Sequence, residues 1–141
     1  MAHSHDYSFR DFIFMHRPIQ EFMPMANLYK FYGNKQQVVG CQTMNTGLYA
    51  MTVEALKTAW ISAGGDSDND FAGRYHDTYF SYARKSGYAG DGRLARGARV
   101  FELTYTRGKG MKGHSYVVDG ESGERNVDMP KSYPPTFSFL L

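Results

Sequence analysis

Residues 99–105 alternate strictly. Val100, Glu102 and Thr104 fall on one face, and Phe101, Leu103 and Tyr105 on the other. A period of two is the signature of a strand with one face covered. A glycine-rich turn follows over residues 108–113 (GKGMKG), then an apolar run over 114–118 that reads as a second strand. Residues 119–124 (DGESGE) reverse the chain again toward a third strand at 125–129. Strands joined by turns this short pair antiparallel, because a parallel crossover needs a dozen or more residues. The late part of the chain is therefore expected to form a small antiparallel sheet, a β-meander at about 99–129. The first of these strands is expected to be half-buried, and the sheet follows an earlier part of different character.

That earlier part reads as mixed. Residues 7–15 (YSFRDFIFM) suit a strand, and Pro18 opens a short helical stretch with Ile19, Phe22 and Met23 that Pro24 interrupts. Residues 26–32 read as a further turn of helix ended by Gly33. Residues 37–44 and 48–51 read as two short strands around an Asn45-Thr46-Gly47 turn. Two main helices are expected at about 52–63 and 70–86. In the first, Val53, Leu56, Trp60 and Ala63 recur at helical spacing and Gly64-Gly65 stops the run. In the second, Phe71, Tyr75, Thr78, Tyr79 and Tyr82 share a side and Gly87 follows. Strands, helices and strands without βαβ alternation define the α+β class. One domain spanning 1–141 is expected, with a polar N-terminal tail at 1–6 and a Pro-containing apolar tail at 130–141 that packs on the core or on a partner.

The chain is 42% hydrophobic and 16% aromatic, enough for a packed core and unlike disordered sequences. Cys41 is its single cysteine, so no internal disulfide is possible. The apolar runs are far shorter than a membrane span, and the first residues lack a secretory pattern. The expected setting is a reducing one, cytoplasmic and away from membranes.

Charge is unevenly placed. Residues 84–112 hold eight cations, Arg84, Lys85, Arg93, Arg96, Arg99, Arg107, Lys109 and Lys112, against Asp91 and Glu102, a local net of +6 in a chain of net +2. Seven glycines lie in or beside this window, and glycine lets a backbone approach a ligand closely. Arginine favours bidentate contact with phosphate, and neutralised phosphates release counterions. Tyr79, Tyr82 and Tyr88 lie nearby in sequence as candidate stacking platforms. The leading expectation is a small non-enzymatic binding module that engages nucleic acid or another polyanion through segment 84–112. A second reading is an inhibitor or structural subunit that meets a protein partner, or a second copy, through the aromatic and Met-rich stretch 12–32 and the C-terminal tail. A third is a small enzyme on a phosphorylated or nucleotide substrate, with Arg93, Arg96 or Arg99 on phosphate and His76 or His114 as acid–base.

Other constellations fall short of a motif. Asp66, Asp68, Asp70 and Asp77 occupy positions 1, 3, 5 and 12 of a calcium loop of the EF-hand type. Phe71 stands where that loop needs its glycine, and Asp77 stands where it needs a bidentate Glu. The match is poor, and the carboxylates are expected instead to cap the helix that begins at Asp70. His3 and His5 form a His-x-His, with no metal-binding spacing to the other histidines. Cys41 has no visible base, and no serine sits in a nucleophile elbow. The turn Arg84-Lys-Ser-Gly87-Tyr-Ala89 resembles the R-x-x-G-x-A turn of acetyl-CoA-binding acetyltransferases. That resemblance implies a strand before the turn and a helix after it, whereas here the turn is expected to leave a helix and enter a loop. No metal and no cofactor are expected.

Overall fold

A computed structural model describes residues 11–54, 56, 58–107, 110–125 and 137–139. In chain order the elements are β1 (Phe12–Met15), α1 (Phe22–Leu28), β2 (Phe31–Tyr32), α2 (Leu48–Glu54), β3 (Trp60–Ala63), β4 (Ala72–Tyr75), β5 (Thr78–Tyr82), β6 (Gly97–Thr106), β7 (Gly110–Asp119) and β8 (Phe137–Phe139). The first five strands form one mixed sheet in the order β1-β3-β5-β4-β2, and the last three form a second in the order β6-β7-β8. In the first, β1, β3 and β5 run parallel, while β4 is antiparallel to both its neighbours. The α+β class is as expected. Among the described residues no helix is long and apolar enough to cross a membrane.

Side-chain alternation divides the mixed sheet into two faces. Ile61 and Ala63 of β3 and Phe80 and Tyr82 of β5 join Phe22, Met25 and Ala26 of α1, with Val39 and Phe71, in the main core. Trp60 and Tyr79 face the other way and meet Phe101 of β6. Trp60 lies flat on Tyr79 (5.0 Å) and edge-on to Phe101 (5.4 Å). Its indole N–H donates to Ser81 Oγ at 2.8 Å, and Ser81 Oγ donates to Ser62 Oγ at 3.1 Å. Each polar group on this buried face thus has a partner. Burying an aromatic side chain here contributes about 2–3 kcal/mol. Phe101 is one of the contacts that dock the late hairpin on this face.

The elements before β6 differ from expectation. The helix expected at 52–63 is instead α2, which begins earlier and ends at Glu54, followed by the buried strand β3. The helix expected at 70–86 is the β4–β5 hairpin, turned at His76 and Asp77. His76 adopts φ 50°, and Arg74 ties the turn by donating to His76 O and Asp77 Oδ1, both at 2.8 Å. Burial on both faces of a sheet outweighs helical spacing in both segments. Residues 37–44 form no strand, and residues 48–51 lie in α2. The Asn45 turn does form, with Gly47 N–H donating to Asn45 Oδ1 at 2.8 Å, and it leads into that helix. Pro24 sits inside α1, near its start, where a missing N–H costs no helical bond. Residues 31–32 are strand β2, not helix.

The late hairpin pairs from Gly97↔Asp119 to Thr106↔Gly110, longer at both ends than the alternation alone marks. Of the strand expected at 125–129, Arg125 makes a single bridge to Val118, and 126–129 lie outside the described residues. The third strand of this sheet is β8, from the apolar tail, paired with Met111–Gly113. Residues 83–96, which follow β5, contain no helix, so the turn at 84–89 lacks the helix that the acetyltransferase pattern requires.

Candidate functional site

The segment between β3 and β4 carries Asp66, Asp68 and Asp70, and each holds a different loop. Asp70 is fully buried. Its Oδ1 accepts from the Asn34 backbone N–H at 2.6 Å and from the Asn34 side-chain amide at 3.1 Å. Its Oδ2 accepts from Arg84 Nε at 2.9 Å and from Arg84 Nη2. Asp66 Oδ2 accepts from Tyr82 Oη at 2.6 Å, the Gly40 N–H at 2.9 Å and Asn69 Nδ2 at 3.3 Å. Burial, and next the Asp66 carboxylate, push the Tyr82 hydroxyl far above its ordinary range, so it stays protonated as the donor. Asp68 Oδ1 accepts from the backbone amides of Arg93 and Leu94. The Arg93 amide is the main cause that holds the Asp68 carboxyl below the usual aspartate value. Asp77, the fourth member of the calcium-loop pattern, is in the β4–β5 turn on Arg74 at 2.8 Å. These carboxylates are occupied by protein donors, and among the described residues no group of three or more His, Cys, Asp or Glu is placed to hold a metal.

The eight cations of segment 84–112 divide into three places. Arg84 and Arg99 are internal. Arg84 pairs with Asp70, and its Nη1 lies 3.9 Å from Asp119. Arg99 is buried, donating from Nε to Tyr82 O at 2.7 Å, from Nη1 to Ser115 Oγ at 3.0 Å and from Nη2 to Asp70 O. Lys85, Arg93 and Arg96 belong to the loop that enters β6, which the Gly97 N–H closes by donating to Lys85 O at 3.0 Å. Arg107 is exposed at the hairpin tip, Lys112 pairs with Thr104 on β7, and Lys109 lies outside the described residues. A ten-residue strand spans about 30 Å, so the tip and the loop are separate surfaces.

In the loop, Lys85 Nζ donates to Asp91 O at 2.5 Å. Gly90 and Gly92 take φ 76° and 115°, conformations that favour glycine. Gly92 packs over Ser67 and Arg96. A Cβ there would lie 2.9 Å from Ser67 Cβ and 3.2 Å from Arg96 Nη1. Arg96 Nη1 is buried and has no acceptor among the described residues. Tyr88, in the same loop, is 75% exposed. The other two candidate platforms are not available for stacking on a partner: Tyr82 is buried in the core, and Tyr79 is stacked on Trp60.

The two histidines of the enzyme reading sit on different elements. His76 packs against Tyr75 (4.4 Å) and Tyr29 (6.3 Å) at the β4–β5 turn. His114 is on β7 opposite Glu102, with Nε2 2.9 Å from Glu102 Oε2. Tyr116 Oη donates to Glu102 Oε1 at 2.7 Å, and Arg125 lies 4.2 Å above the Tyr116 ring. The Tyr116 bond is the main reason the Glu102 carboxyl is held low and the Tyr116 hydroxyl high. This half-exposed cluster was signalled in sequence only by the alternation that sets Glu102 and Thr104 on one face. Of the stretch 12–32, Phe22, Met25 and Ala26 are core, leaving Phe14, Met23, Leu28 and Tyr29 exposed. No protein-family model matches this chain, and neither the curated proteins nor the solved structures yield a match.

Proposed function

We propose that this chain is a non-enzymatic binding module that takes a phosphate-bearing polyanion, a nucleic acid, at the loop spanning residues 85–96. The observation that carries the reading is Arg96 Nη1, a buried N–H donor without an acceptor among the described residues. A buried unpaired donor costs about 1–3 kcal/mol, and a phosphate oxygen relieves that cost when the loop shifts to admit it, since the atom is closed to solvent in this conformation. Arg93 adds a second guanidinium, Lys85 a third positive charge, and Tyr88 an exposed ring for a base. Asp91 within the loop and Asp68 beside it offset two of these three charges, so the site as a whole carries a net charge of about +1. Affinity then depends on directed guanidinium donors more than on a broad field. Arg84 and Arg99 have no part in this reading, because both are used internally.

The test is fluorescence anisotropy of a labelled single-stranded 20-mer of mixed sequence, titrated with the protein at several salt concentrations. Three phosphate contacts give a slope of log K against log salt of about −2. Replacing Arg93 and Arg96 together by Gln is expected to weaken binding at least about tenfold, and Tyr88→Ala by about fivefold or more. The same changes at Arg107 should leave binding unaltered. No measurable binding at 50 mM salt, or equal binding by the doubly substituted protein, refutes the proposal.

A further inference from the structure

Residues 33–40 form an irregular stretch with a single isolated bridge, Lys35 to Asn69, and residues 66–70 fix its backbone. The Asn34 N–H donates to Asp70, the Gln36 N–H to Asp68 O at 3.1 Å, the Gln37 N–H to Asn69 Oδ1 at 3.2 Å and the Gly40 N–H to Asp66. Gln37 Oε1 accepts from the Asp68 N–H at 3.2 Å. Val39 is buried in the core, which locks the stretch in register. The same locking leaves Val38 84% exposed, an apolar side chain presented to solvent by a rigid backbone. Between this stretch and α1 lies a cleft of about 410 Å³, within the range of small-molecule sites. Met23, Val38 and Val39 give it an apolar wall, and Asn27, Lys35 and Gln37 a polar rim. Among the described residues, Lys35 is the only ionisable one that lines it. Its Nζ donates to a neutral group, Asn27 Oδ1 at 2.9 Å, and among the described residues it has no carboxylate partner.

We infer that this cleft binds a small carboxylic acid with an apolar chain, the carboxylate on Lys35 and the rim amides and the chain against Met23 and Val38. The positive charge and the hydrogen-bond donors lie at one side of an apolar wall, and the support is fixed before any ligand arrives, the arrangement that keeps ordering costs low on binding. This site is distinct from the 85–96 loop and does not depend on it.

Hexanoate, hexanol and hexylamine, titrated into the isotopically labelled protein, test the inference by the methyl resonances of Met23, Val38 and Val39. Saturable shifts are expected with hexanoate, which should bind about three- to fivefold tighter than hexanol, the advantage that an exposed ion pair gives. Hexylamine should bind most weakly. Lys35→Met should erase the preference for hexanoate while leaving hexanol binding in place, and Val38→Asp should weaken hexanoate binding by about fivefold or more. Both residues are exposed, so neither change threatens the fold. Shifts that fail to saturate with any of the three probes overturn the inference. So does equal binding of hexylamine and hexanoate, or a preference for hexanoate that survives Lys35→Met.

Discussion

Replacing Asp70 by Asn keeps the volume of the side chain and removes its charge. Asp70 is fully buried, and its two oxygens accept from the Asn34 backbone and side chain and from two nitrogens of Arg84. In the variant, one acceptor becomes an NH₂ group that must face either the Asn34 amide or the Arg84 guanidinium. Both are donors, so a repulsive contact replaces a hydrogen bond. The Arg84 side chain, only 9% exposed, also loses its main counter-charge and retains Asp119 at 3.9 Å. Breaking a buried pair by removing one partner costs about 3–5 kcal/mol. Because Asp119 remains, the lower figure applies, about 3 kcal/mol. For a urea slope of about 1.5 kcal/mol/M this moves the unfolding midpoint down by about 2 M. Arg84→Met should cost a similar amount. The protein with both changes should fall short of the sum of the two losses by about 2 kcal/mol, since the second substitution then removes a group already orphaned. The assay is equilibrium urea unfolding followed by tryptophan fluorescence, with Trp60 as the reporter. A loss under about 1 kcal/mol for Asp70→Asn, or additivity within about 0.5 kcal/mol, refutes the argument.

Three further outcomes follow from the same network. Tyr82→Phe removes the 2.6 Å hydrogen bond to Asp66 and leaves that carboxylate with Gly40 and Asn69. It should cost about 2 kcal/mol in urea unfolding, and an unchanged midpoint would contradict the pairing. Gly97→Ala places a Cβ well inside contact distance of the Val118 carbonyl, a backbone atom of the paired strand, so the hairpin base must open. A loss of about 3 kcal/mol is expected, and one under about 1 kcal/mol rules out so close an approach. The Asp68 carboxyl is held below its ordinary value of 3.8, chiefly by the Arg93 amide. Its native contribution is therefore present above that value and is lost as pH falls through the lower folded one. The amide resonances of Arg93 and Leu94 should move together at a midpoint below 3.8. Movement at the ordinary value, or of one amide alone, would contradict the shared acceptor.

The late hairpin was legible because its residues alternate with a period of two; the face that holds Phe101 is partly buried against Trp60, while Leu103 and Tyr105 beyond it are exposed. The two helices expected at 52–63 and 70–86 were not, for a reason specific to central strands. Trp60–Ala63 is buried on both faces, so it shows no alternation, and its apolar residues also satisfy a helical repeat with Val53 and Leu56. The turn at His76 and Asp77 has neither glycine nor proline to mark it. Histidine is one of the few other residues that enter the left-handed region with any frequency, and a single such residue reads in sequence as nothing. The fold class survived these errors because exchanging helices for strands still leaves α1 and α2 beside two sheets.

The charge cluster shows how far sequence proximity departs from function. Segment 84–112 is basic partly because the segment before it is acidic and folds beneath it. Arg84 answers Asp70, and the Arg93 and Leu94 amides answer Asp68. Asp66 is answered by a hydroxyl and two amides and draws on no cation. Of the three aspartates that suggest a calcium loop, Asp70 alone withdraws a cation, Arg84, from a binding surface. Calcium requires six to eight oxygen ligands free of competing donors. Here both oxygens of Asp70 are taken by Asn34 and Arg84, so Asp70 would have to release those donors to serve one, and the freed Arg84 would lie beside the ion. Asp70 cannot be both a cation ligand and the anchor of those two segments. Arg84 is consumed in that anchoring, so the proposed polyanion contact rests on Lys85, Arg93 and Arg96 of the adjoining loop and not on Arg84.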